Sequence, residues 1–346
     1  MTIRRIRAIL VGAILPALAL AASAGGASPP KFRGFCTETA FALHEACYAD
    51  FTADRAVRKG ICMNISDAEA RHECWVERDQ QRDDDKELCD DQKLTRFKAC
   101  KLLGEGRYDP AFEPELFDDP RSPTKPNPFY PLNVGYEWEY RGGGQLNTVE
   151  VVDETKLMEG GVRCIVVRDT VLTDGFVTEA TDDWFATAKD GTTWYCGENT
   201  AEFETFEGDD PKLPELVNID GSFKAGREGD KAGIIFLAHP KVGDVYVEEF
   251  SLANAEDVTE ILSTTYEFGK NADLDERVPQ DVVTRFCKGD CVITKNYSLL
   301  EPGIFAHKIY APGVGVIVEV EFDDSGDVIQ LSDCSFDPRC VNLPQP

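Results

Sequence analysis

From residue 136 onward, hydrophobic and polar positions alternate with a period of two, and the alternation is clearest at 316–322. There Val316, Val318, Val320 and Phe322 interleave with Ile317, Glu319 and Glu321. Such a run buries one face of a strand and wets the other. Similar short runs, rich in β-branched and aromatic residues, recur at 136–141, 147–154, 163–172, 178–188, 192–198, 244–250, 256–268, 291–300 and 305–311. Turn residues separate them: Arg141-Gly142-Gly143-Gly144, Thr173-Asp174-Gly175, Lys189-Asp190-Gly191 and Asp324-Ser325-Gly326-Asp327. No helical segments intervene, so a parallel α/β sheet is excluded and an antiparallel curled sheet or open barrel is expected over 131–333.

Residues 31–108 are patterned differently. They are charged, poor in β-branched residues, and read as helices. One helix is expected from Thr37 to about Lys59. Ser66-Asp67-Ala68-Glu69 has the form of a capping box that opens a second. A third is expected from Asp85 to Leu103, with the run Asp83-Asp84-Asp85 as its cap and Gly104 as its stop. Between the two regions, 109–130 carries six prolines and reads as a stiff, extended linker. The fold class is therefore α+β, a helical bundle followed by a large antiparallel β domain.

The first 27 residues have the three parts of a secretory signal. Arg4, Arg5 and Arg7 precede the apolar run Ala8–Leu20, and Ala22-Ser23-Ala24 places cleavage near Ala24. The apolar run is shorter than the roughly 20 residues of a membrane span, and no later run is longer. Twelve cysteines follow, without a C-x-x-C zinc spacing. An even count behind a signal implies disulfides and a periplasmic or secreted protein. Cys36 and Cys47 are eleven residues apart, as are Cys89 and Cys100, about three helical turns. In an up-down-up bundle this spacing favours Cys36 with Cys89 and Cys47 with Cys100, leaving Cys62 with Cys74. Cys287 with Cys291 would close a turn, Cys334 with Cys340 the tail at 334–346, and Cys164 with Cys196 would link strands.

The chain carries 36 Lys+Arg against 63 Asp+Glu, a net charge of −27. A nucleic-acid partner is excluded, since it requires a basic footprint. Acidity leaves open a hard cation such as Ca²⁺ or a trivalent ion, although no calcium-loop pattern is present. Asp273-Leu274-Asp275-Glu276 and Asp323-Asp324 read as solvated turns. The elbow, zinc-helix and phosphate-loop motifs of common enzymes are absent. Among the four histidines, His44 and His72 are expected at the surface, and a hydrolase would have to use His239 or His307. The densest aromatic and acidic stretch is 182–198. A hairpin turning at Asp190-Gly191 would bring Trp184 towards Trp194, as sheet packing or as a ligand platform with Tyr195 beside it and Asp183 and Glu198 at its rim. His307 completes the candidate set.

The phrases PLNVGYEWEY, VRCIVVRDTVLTDG, TEATDDWFATAKDGTTWYCGE, GIIFLAHPKVGD and LEPGIFAHKIYAPGVGVIVEV resemble those of a widespread group of uncharacterised exported bacterial proteins, over about 131–322. Cys196 stands where that group often has an aromatic or aliphatic residue. The resemblance implies a curved-sheet envelope protein and supplies no catalytic residues. The helical part is similar, in its cysteines and scattered acids, to small exported helical domains that inhibit lysozyme. Together these readings lead to a non-enzymatic binding protein for a small amphipathic ligand or an envelope partner.

Overall fold

The computed structural model describes residues 33–323 and 325–346; residues 1–32, which include the expected signal segment, and Asp324 lie outside the described residues. It opens with two long helices, α1 (Phe35–Met63) and α2 (Ala68–Leu103), packed as an antiparallel hairpin. The expected second and third helices are one continuous helix of 36 residues. Asp83-Asp84-Asp85 lies in its middle and caps nothing. Arg82 holds the Asp83 carboxylate at 2.8 Å, and the run stays on a solvated stretch of helix. The true cap is Asp67, one residue after the expected Ser66; its Oδ1 accepts from the Glu69 and Ala70 amides at 3.0 and 2.8 Å.

With two antiparallel helices rather than three, the disulfide order inverts. Cys36 near the start of α1 meets Cys100 near the end of α2, Cys47 meets Cys89, and Cys62 meets Cys74 at the turn. The eleven-residue spacing fits either direction, so helix number decided the pairing. The other three bridges are Cys164–Cys196, Cys287–Cys291 and Cys334–Cys340.

The rest of the chain forms one unclosed antiparallel sheet of fourteen strands. In chain order they are β1 (Glu137–Gly142), β2 (Gln145–Leu157), β3 (Arg163–Thr173), β4 (Phe176–Thr187), β5 (Thr193–Glu204), β6 (Glu215–Asn218) and β7 (Phe223–Lys224). The second half holds β8 (Gly233–Phe236), β9 (Val245–Val247), β10 (Asp257–Tyr266), β11 (Cys291–Ser298), β12 (Ala306–Ala311), β13 (Gly315–Glu321) and β14 (Val328–Cys334). The β1–β2 turn is Gly143-Gly144, both at positive φ (56° and 78°), which suits a tight hairpin and few residues other than glycine. Strand β1 pairs with β2 on one side and with β14 on the other. Two arms extend from that seam: β2 to β6 in one direction, β13 down to β9 in the other. The β8 end of the first arm curls round to the second. A Cβ on Gly233 would collide with the Glu248 carbonyl, and a single bridge joins Lys231 to Phe250.

Strands β6, β7, β8 and β14 are not evident from alternation; three are very short, and β14 (VIQLSDC) is mixed in character. Two short helices, α3 (Ala272–Asp275) and α4 (Gln280–Phe286), link β10 to β11. Residues 273–276 are therefore not a solvated turn: Asp275 accepts from the Tyr266 hydroxyl at 2.7 Å and Leu274 is buried. Val282, Val283 and Phe286 of α4 join the main core. A smaller cluster covers the other face of β3–β5, where Phe112 and Phe117 of the proline-rich segment pack on Trp194.

The hairpin docks through Arg96 of α2, which makes two 2.8 Å hydrogen bonds to Glu256 ahead of β10. Both side chains are about 95% buried (4% and 5% exposed). Gln92 adds a bond to the Leu300 carbonyl at 2.9 Å, and Tyr108 stacks on Phe250 at 4.7 Å. Removing one member of a buried pair strands the other charge. Arg96→Met should therefore cost about 3–5 kcal/mol in urea unfolding, and the double variant Arg96→Met/Glu256→Leu should recover most of that. Non-reducing peptide mapping should recover Cys36 with Cys100 and Cys47 with Cys89.

Candidate functional site

The concave face of the sheet carries charge where the strand phase would place a core. On β3, Ile165 and Val167 are buried, and the next residue in phase is Asp169. On β12 the in-phase pair is Lys308 and Tyr310, and Lys308 stands opposite Glu319 on β13. On β4, Asp183 and Phe185 share this face while Trp184 takes the other. Val167, Asp169, Asp183, Phe185, Lys308 and Glu319 line a cavity of about 210 Å³ with Trp138, Tyr130 and Tyr140.

A bulge between Trp184 and Phe185 on the β4–β5 ladder sets the local geometry. Tyr195 and Glu198 are three residues apart and should face opposite ways. The register shift places Tyr195 opposite Phe185 and Glu198 opposite Asp183. Gly197 makes the bulge feasible at φ 130°, since a Cβ there would collide with the Phe223 carbonyl of β7. The Tyr195 hydroxyl consequently contacts Asp183 and, at 3.0 Å, Glu198. A phenol has a single proton to donate. Satisfying both contacts requires a second proton, carried by one of the carboxyls. The three side chains form a hydrogen-bonded triad.

Electrostatics point the same way. Burial, and then the neighbouring Glu198, push the Asp183 carboxyl well above its ordinary range. Burial raises Glu198 to about 7 and Asp169 to about 6. Glu248 and Asp257 further along the face are also raised by burial, as is Glu249, which lies beside Asp257. Lys308 is the cation lining the cavity; Glu319, 3.5 Å from its Nζ, holds it protonated. Asp169 receives only a 3.3 Å bond from the Asn147 amide, and its other oxygen has no partner. By contrast, Glu248 is satisfied by Thr259 and by Asn296 at 2.8 Å.

Of the six candidate residues, the structure brings together Asp183, Tyr195 and Glu198 and separates the rest. Trp184 and Trp194 lie on the opposite face in the smaller cluster, Trp184 under Lys156 at 4.8 Å. His307 also faces away, with its ring 5.4 Å from Phe305 and 4.6 Å from Phe322. Burial, with Lys295 and Arg277 nearby, lowers its pKa to about 4. His239 is exposed in the β8–β9 loop, and His72 is exposed on α2. His44 is half-buried and bonds Asp90 across the hairpin at 2.7 Å. Among the described residues neither His239 nor His307 is paired with a carboxylate, no three His, Cys, Asp or Glu converge on a metal-sized site, and no helix is long and apolar enough to cross a membrane. Asp169, Lys308 and Glu319 are absent from the candidates drawn from sequence. Their signal was a charge in phase with buried positions of the same strand.

A carboxyl whose folded pKa is raised binds protons more tightly folded than unfolded, so its contribution to stability is present at low pH and lost as pH rises. For Glu198 the window runs from about 4.5 to about 7. The wild type should lose stability relative to Glu198→Gln across that window. At pH 7 the variant should be the more stable by on the order of 2 kcal/mol, read by thermal unfolding as a function of pH.

No family model and no curated protein matches the chain. Two solved structures are similar in part. One is a candidate lipoprotein from Parabacteroides distasonis, at 11% identity and a TM-score of 0.28, over 61% of this chain and all of that one. The other is a candidate exported protein with a YmcC-like fold from Bacteroides fragilis, at 11% identity and a TM-score of 0.31, over 60% of this chain and 98% of that one.

Proposed function

We propose that this is a non-enzymatic binding protein of an oxidising compartment, periplasmic or secreted, whose ligand site is the concave face of the curled sheet. The ligand is a small amphipathic molecule that presents a positively charged or hydrogen-bond-donating group. The observation that carries this reading is a cavity walled by Trp138, Tyr130, Tyr140 and Phe185 in which the carboxyls of Asp169 and Asp183 have no ion-pair partner among the described residues, Lys308 being engaged by Glu319. Aromatic walls with a few convergent polar groups are the ordinary make-up of a small-molecule site. Carboxylates held in an apolar surround at a cost in stability are a recurrent mark of one. The six disulfides support the compartment.

The test is thermal unfolding of the oxidised mature chain with envelope extracts, a panel of small amines, and Ca²⁺ and trivalent ions at fixed ionic strength. A ligand at a hundredfold excess over its Kd adds about 2.7 kcal/mol to the native state. An organic ligand should raise the melting temperature of the wild type and lose most of that effect in Asp183→Asn, which keeps the side-chain shape. A shift with metal ions alone would replace this reading with a cation-binding one. An organic shift indifferent to Asp183→Asn would remove the concave site from consideration.

A further inference from the structure

A second cavity, of about 600 Å³, lies between the helical hairpin and the β9–β10 end of the sheet. Leu43 and Leu103 come from the helices, and Tyr246 and Val258 from the strands. The volume is that of a site for a drug-sized molecule. A void left by imperfect packing is lined by apolar groups and stays dry. Here Glu249 and Asp257 form part of the lining.

The charges around this cavity are unevenly matched. Its three cations are all engaged: Arg96 by Glu256, Lys231 by Asp109, and Arg107 over the Phe35 ring at 3.9 Å. Asp257 is bonded by Ser298. Among the described residues none donates a hydrogen bond to the Glu249 carboxyl, and the charges acting on it are other acids, Asp257 first and then Glu198, Glu248 and Asp183. The cavity thus combines apolar walls with a carboxyl, Glu249, that has neither a hydrogen-bond donor nor a counter-charge among the described residues. An ammonium group would supply that charge, and an attached apolar chain would cover the walls.

We propose that this cavity is a second ligand site, which takes an amphipathic amine with its chain between hairpin and sheet and its ammonium on Glu249. The linings of this cavity and of the concave one share no residue, so the cavity-filling variants distinguish the two sites. The experiment is calorimetric titration of the oxidised mature chain with dodecylamine, dodecanoate and dodecyl maltoside, each below its micellar concentration. Dodecylamine should bind the wild type and bind Glu249→Gln at least about tenfold more weakly. Ala40→Phe, which fills the cavity from a helix position 1% exposed, should abolish binding. Val247→Phe fills it from the sheet side should the first variant not fold. The proposal is overturned by no binding of dodecylamine, by equal binding of dodecanoate or the maltoside, by an unchanged Glu249→Gln, or by binding that survives filling.

Discussion

The ladder between β1 and β14 is the constraint on which the sheet depends. It joins the first strand to the last across nearly two hundred residues, through pairs such as Trp138 with Cys334 and Tyr140 with Leu331. Every other main pairing is a local step outward from this seam. Twisted strands added on both sides of one seam curl in the same sense, so the two arms come round to face each other. The concave face exists because the chain's ends meet in the middle of the sheet rather than at its edges. Closing a loop on this scale carries an entropic cost that the local hairpins do not.

Curling concentrates whatever points inward. In a flat sheet Asp169, Asp183 and Glu198 would each see water. On the concave face they see one another, with aromatic rings behind them. Their repulsion works against the compact state, and hydrogen bonds through Tyr195 offset only part of it. The fold tolerates this because the main core continues from the cavity walls at Trp138, Val167 and Phe185 to α4 and the aliphatic face of β12–β13, which supply fully buried side chains such as Ile309, Val318 and Val320.

Much of the fold was legible because it is written in periods. The alternation over 316–322 and the glycine turn at 142–144 translate directly into β13 and the β1–β2 hairpin. Helix number was not legible. A polar stretch such as Arg82-Asp83-Asp84-Asp85 looks like punctuation in sequence, yet it costs little in the middle of a helix whose flanks are fastened by disulfides. The site was half legible. Asp183, Tyr195 and Glu198 stood out by density, but strict alternation would set Tyr195 and Glu198 on opposite faces. The bulge that unites them depends on the approach of β7, a strand of two residues with no pattern of its own. Asp169 and Lys308 look like surface charges until the arms are known to curl.

The nested bridges of the hairpin reach beyond its stability. Because Cys36 is joined to Cys100 and the other two bridges lie inside that loop, a protease that cuts anywhere between residues 37 and 99 severs the backbone without releasing a fragment. The nicked pieces stay covalently attached to one another and, through residues 101 onward, to the sheet. In a compartment rich in proteases the hairpin could be clipped and still remain in place over the cavity it roofs.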